Sequence, residues 1–168
     1  MVINSKTKLS ITALGFLCAL GLIIWEYFNG GVVSHYFLQD NSTPELSNWW
    51  GLLSIPMVTW LALTIAEKRQ PEPKLNIKLL TVGLLFGVIL TTLFYFAPQF
   101  IVFILLGSFA LALFLPLYLP EFYIGFIVSM LLGFGGVIPV VFGLLFITIY
   151  AIEYKLIRRS ALYLLKKF

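Results

Sequence analysis

Charge is scarce in this chain, and cysteine and histidine are nearly absent from it. Asp, Glu, Lys and Arg together make 11% of the residues, against about 25% in soluble domains. Hydrophobic residues reach 61%, which excludes an ordinary soluble fold with a charged surface around one core. The lone cysteine, Cys18, excludes an internal disulfide and a cysteine-held metal cluster. The lone histidine, His35, leaves any zinc site short of the two or more His or Cys ligands it ordinarily shows. Walker, HExxH, GxSxG and paired-cysteine motifs are missing, and no internal repeat divides the chain into matching halves. No family resemblance emerges from the residues.

The eleven basic residues that are present sit in three clusters separated by long apolar runs. Lys6 and Lys8 come first; Lys68, Arg69, Lys74 and Lys78 follow; Lys155, Arg158, Arg159, Lys166 and Lys167 close the chain. Lys and Arg gather on the cytoplasmic side of membrane proteins, so the clusters predict both the class and the orientation. Three basic segments on one side require an even number of crossings between each pair. The net charge of +4 is thus read as membrane topology and not as nucleic-acid binding. The first run resembles a signal peptide in length, but no small-x-small cleavage site follows it, so it is expected to be retained as a span.

A helix needs roughly 20 apolar residues to cross the hydrocarbon core. That rule predicts an all-α, polytopic bundle with spans at about 10–28, 49–66, 79–96, 99–117, 121–135 and 137–153. An outer loop occupies 29–48, a cytoplasmic linker 67–78 and a basic juxtamembrane tail 154–168. The run Phe122 to Tyr150 would make a single helix about 44 Å long, well beyond the roughly 30 Å core. Gly133, Gly135, Gly136 and Pro139 offer a break, and a break keeps the basic tail inside with both termini cytoplasmic. Six spans are therefore preferred; five spans with one tilted helix, or a re-entrant fifth segment, are the alternatives. Small residues recur every four positions: Gly83, Gly87 and Thr91; Gly125, Ser129 and Gly133; Ser108 and Ala112. Such stripes let helices approach closely in lipid, and packing within the bundle is their expected use.

No charged residue lies at the centre of a proposed span, which disfavours an ion-coupled transporter. Polar residues collect instead in the outer segment: Glu26, His35, Asp40, Glu45 and Asn48, edged by Trp25, Trp49 and Trp50. Glu26 reads as a rim carboxylate reaching toward the headgroups, or alternatively as an acid held beneath the loop. His35 is the side chain that titrates near neutrality; with Glu26 it forms a weak acid–base candidate, and a loop histidine on a neighbouring hydrogen-bond partner is the plainer reading. Asp40, Glu45, Asn48, Trp49 and Trp50 are ligand-binding candidates for a headgroup or small cation, while the tryptophans also fit an interfacial aromatic belt. Thr43-Pro44-Glu45 predicts a helix start, with hydroxyl cap, proline and carboxylate in order. Asn41-Ser42-Thr43 forms a glycosylation sequon, meaningful only in a secretory membrane. In the tail, Lys155, Arg158, Arg159, Lys166 and Lys167 are expected to meet anionic inner-leaflet lipid.

These features lead to three expectations in order. The first is a non-enzymatic assembly, scaffold or accessory subunit, with a protein partner or a second copy beside its membrane lipids. The second is a small-solute or lipid carrier or channel gated at the 133–139 break. The third is an outer-face intramembrane enzyme using Glu26 and His35. No cofactor and no metal are expected, and a bacterial inner membrane is the expected location.

Overall fold

The computed structural model describes residues 1–36, 45–158 and 160. Six α-helices are present among them: α1 (Ser5–Phe28), α2 (Gly51–Lys68), α3 (Ile77–Phe96), α4 (Ile101–Ala112), α5 (Pro120–Phe134) and α6 (Ile138–Ile152). Two short strands, β1 (Ser34–Tyr36) and β2 (Glu45–Ser47), pair antiparallel between α1 and α2. Four helical segments are long and apolar enough to cross a membrane: Ser5–Phe28, Asn48–Lys68, Ile77–Phe96 and Ile138–Ile157. Pro98–Ala112 and Pro120–Phe134 are apolar but shorter. At 1.5 Å per residue each reaches only about 22 Å, short of the roughly 30 Å core.

Local chemistry sets the helix ends. Asn4 caps α1 by accepting from the Thr7 amide at 2.9 Å, and Asn76 caps α3 by accepting from Leu79 at 3.2 Å. Proline occupies the first turn of α5 and of α6, where the missing N–H costs nothing. The expected span at 99–117 is helical only to Ala112, because Pro116 and Pro120 disfavour helical backbone in the residues before them. The single helix over 122–150 is not formed. Gly135, at φ +68°, ends α5, and α6 starts three residues later. The expected helix start at Thr43-Pro44-Glu45 is also corrected. Thr43 and Pro44 lie outside the described residues, but Glu45–Ser47 are extended and paired with Ser34–Tyr36. Helical backbone begins instead in a 3-10 turn at Asn48–Trp50.

The deepest helix is α5. From Glu121 to Ile127 every residue of α5 is buried, with α1, α2, α3 and α6 packed around it. The small-residue stripes make the α3–α5 crossing. A Cβ on Gly83 would fall on the Phe122 carbonyl, one on Gly125 on the Leu80 carbonyl, and one on Gly87 on the Ser129 hydroxyl. Close backbone approach replaces the hydrophobic drive that lipid does not supply. Beside that crossing, Phe86 of α3 meets Phe122 and Phe126 of α5 at ring-centroid distances of 5.8 Å each. Ser108 and Tyr150 join α4 to α6 through a 2.7 Å hydroxyl–hydroxyl bond. The outward faces carry exposed Leu14, Leu17, Leu85, Val102, Phe103 and Leu145, an apolar surface far larger than water-soluble monomers present.

The basic clusters converge on one end of the bundle. The amide of Ile3 donates to the Pro73 carbonyl at 2.7 Å and that of Leu75 to Met1 at 2.9 Å, joining the first residues to the linker. Lys8 pairs with Glu67 at 2.6 Å while standing 4.9 Å from the centre of the Trp60 ring. Lys155 reaches this end from the other side, 4.7 Å over Tyr118.

Candidate functional site

Two buried carboxyl groups lie at opposite ends of the bundle, Glu26 in the last turn of α1 and Glu121 in the first turn of α5. At the end away from the basic clusters, Glu26 sits two residues before the last residue of α1 and is only 6% exposed. Its Oε1 accepts from Asn48 Nδ2 at 2.6 Å and its Oε2 from the Val33 amide at 3.1 Å. Asn48 is itself buried, and its amide donates to the Val33 carbonyl at 3.0 Å. The carboxyl group therefore does not reach out toward headgroups. It turns beneath the loop, because the chain folds back at Gly30 and Gly31, both with positive φ. The backbone carbonyl of Glu26 also accepts from the Asn29 and Gly31 amides at 3.0 Å each.

The glycine break arrives at the same place. A Cβ on Gly135 would coincide with the side-chain amide of Asn48, and one on Gly136 with the backbone of Gly51. Ser54 donates to the Gly136 carbonyl at 3.1 Å, and Tyr95 to that of Gly133 at 2.8 Å. The polar outer residues and the Gly/Pro break, separate features along the chain, thus form one packed locus. Pro139 is buried next to it in the first turn of α6.

The remaining candidates of this segment do not converge there. Glu45 is exposed on β2, and Trp49 and Trp50 are exposed at the rim with Trp25. The backbone of His35 pairs with Leu46 in the two-stranded sheet. Asp40 and the Asn41-Ser42-Thr43 sequon lie outside the described residues. Of the tail cations, Lys155 stands over Tyr118, and Arg158 is 4.7 Å from the Tyr154 ring; Arg159, Lys166 and Lys167 lie outside the described residues. Among the described residues, no three His, Cys, Asp or Glu side chains gather where they could hold a metal ion.

At the basic end, the second carboxyl group was missed by sequence reasoning. Glu121 is completely buried in the first turn of α5, where the helix dipole favours negative charge. Arg69 grips it fork to fork, Nη1–Oε2 at 3.0 Å and Nη2–Oε1 at 2.8 Å, and the Asn76 amide donates to Oε1 at 3.2 Å. The sequence shows Arg69 as a member of a basic cluster and Glu121 as the first residue of a proposed span. A signal was present: Glu121 is the sole charged residue between Lys78 and Glu153. An isolated acid in so long an apolar stretch demands a partner.

The fold defines a helical bundle with several helices fit for a membrane. Comparison of the chain with known protein families, with curated proteins and with solved structures finds no match.

Proposed function

We propose that this is a multi-pass membrane protein in which all six helices cross the bilayer, both termini lie in the cytoplasm, and the bundle works without catalysis as an assembly, scaffold or accessory subunit. One observation carries the reading: the carboxyl groups of the two buried acidic residues are both engaged by other segments of the chain. Glu26 spends its two oxygens on Asn48 and Val33, and Glu121 spends its two on Arg69 and Asn76. An outer-face enzyme needs an acid free to exchange its proton with substrate. A gated carrier needs its broken helix to border a cavity, whereas Gly135 and Gly136 abut Asn48 and Gly51.

The topology proposal is supported by the convergence of the N-terminus, the linker and Lys155 on one end, in keeping with the positive-inside rule. The two short helices are tolerable crossings in different ways. The first two turns of α5 are buried by the surrounding protein, and Pro98–Ala112 is prolonged toward the basic end by the apolar stretch 113–119. The bacterial inner membrane is the proposed location, with anionic lipid meeting the basic end and tail. Affinity purification of the full chain from its own membrane in mild detergent tests the role. A second protein, or a second copy, recovered at fixed stoichiometry is expected, and Glu26→Gln should leave the amount recovered per folded chain unchanged. A chain recovered alone, or a folded Glu26→Gln protein that loses a measurable activity of the wild type, contradicts it.

A further inference from the structure

The side of the bundle between α2 and α6 does not close. A groove of about 640 Å³ runs there over the flank of α5, within the roughly 300–1,000 Å³ typical of ligand sites. Val58, Leu61 and Ile65 of α2 form one wall, Leu144 and Ile147 of α6 the other, and Tyr123 of α5 the floor. From Val58 to Arg69 the groove follows α2 for about 16 Å, near one leaflet's half of the roughly 30 Å hydrocarbon core. Its apolar walls end at two cations, Arg69 and Lys155, and among the described residues no carboxylate lines it.

Those cations are not idle copies of the surface charge. Arg69 gives one N–H of each terminal nitrogen to Glu121, which leaves Nε–H and two outer N–H groups with no partner among the described residues. Lys155 is exposed, and the Tyr118 face beneath it steers its ammonium over the groove mouth. With Glu121 balanced by Arg69, the mouth keeps the positive charge of Lys155 together with a planar donor set suited to phosphate oxygens. An apolar slot one leaflet deep with such a mouth has the shape and polarity of a phospholipid. A transmembrane helix from a partner would fill the walls, but it would answer the two cations only by carrying an acid at the same depth.

We propose that this groove binds one anionic phospholipid, its acyl chain along Leu61, Leu144 and Ile147 and its phosphate on Arg69 and Lys155. The site is separate from any lipid contact of the tail beyond Arg158. Native mass spectrometry of the delipidated full chain, titrated with phosphatidylglycerol and with phosphatidylcholine of the same acyl chains, tests it. The first phosphatidylglycerol should bind at least about fivefold tighter than phosphatidylcholine. Lys155→Gln should remove about fivefold from the anionic lipid alone, the value of one basic residue near the surface. Leu144→Trp, which fills the groove from its exposed side, should weaken both lipids. Lys78→Gln makes the same charge change on α3, which does not line the groove, and should weaken neither. The proposal is overturned if the wild type binds the two lipids equally, if Lys78→Gln matches Lys155→Gln, or if Leu144→Trp leaves binding intact. A partner helix cross-linked to position 144 with no lipid present also overturns it.

Discussion

Arg69 and Glu121, 52 positions apart in the chain, meet in a two-bonded fork whose acid is wholly buried and whose base is partly open. The asymmetry matters for mutation. Arg69→Ala strands a buried carboxylate, an error of roughly 3–5 kcal/mol, although the solvent-open side of Arg69 places this pair at the lower end. Glu121→Gln leaves a guanidinium that can still reach water and should cost less. The double variant should therefore fall short of the sum of the two. Denaturation of the four proteins in one detergent, arranged as a double-mutant cycle, measures the coupling; additive losses would mean that the pair does not hold α5.

The Glu26–Asn48 lock behaves differently because no cation takes part in it among the described residues. Asn48→Ala removes the Nδ2 donor that Glu26 receives at 2.6 Å, leaving a buried acceptor unpaired at about 1–3 kcal/mol. Gly135→Ala should match or exceed that loss. It adds a Cβ at positive φ, and that Cβ occupies the space of the Asn48 amide. Proteolysis of the 29–48 loop should accelerate in both variants, and an unchanged cleavage rate would show that Asn48 does not hold the loop.

The α3–α5 crossing has no room for side chains. Gly83→Ala and Gly125→Ala each place a methyl group against a backbone carbonyl and should destabilise by about 1–3 kcal/mol through overpacking. Gly107→Ala in α4 meets nothing within 4 Å among the described residues and should be neutral or slightly stabilising, since alanine is the better helix former. Equal effects at the three sites in thermal unfolding would contradict the packing.

Tyr150→Phe deletes one half of the 2.7 Å bond to Ser108 and should cost about 0.5–1.5 kcal/mol. The loss should appear mainly as easier detachment of α4, visible as faster hydrogen exchange there than in α3.

The helical class was legible because the long uninterrupted apolar runs leave the chain no other solution, and the helix break was legible from Gly133 to Pro139. The stripes on α3 and α5 announced a close crossing, since residues four apart share a face. What the stripes could not specify was that each would be the other's partner. The two locks were hidden for the same reason: Glu26 finds Asn48, and Glu121 finds Arg69, across distances that no local period encodes. Glu45 is ambiguous in the sequence, because a carboxylate after proline looks alike at a helix start and at the start of a short strand. Backbone pairing with Ser34–Tyr36 decided for the strand.

The assembly role and the lipid groove both rest on the six-crossing arrangement, and the lone cysteine makes that arrangement directly measurable. With Cys18 replaced by alanine, single cysteines at Glu72, Tyr36, Gln99 and Ser160, all exposed positions, would be probed with a membrane-impermeant thiol reagent in oriented vesicles. The account predicts labelling of Glu72→Cys and Ser160→Cys from the cytoplasmic side alone, and of Tyr36→Cys and Gln99→Cys from the outer side alone. Labelling of Ser160→Cys from the outer side would contradict it.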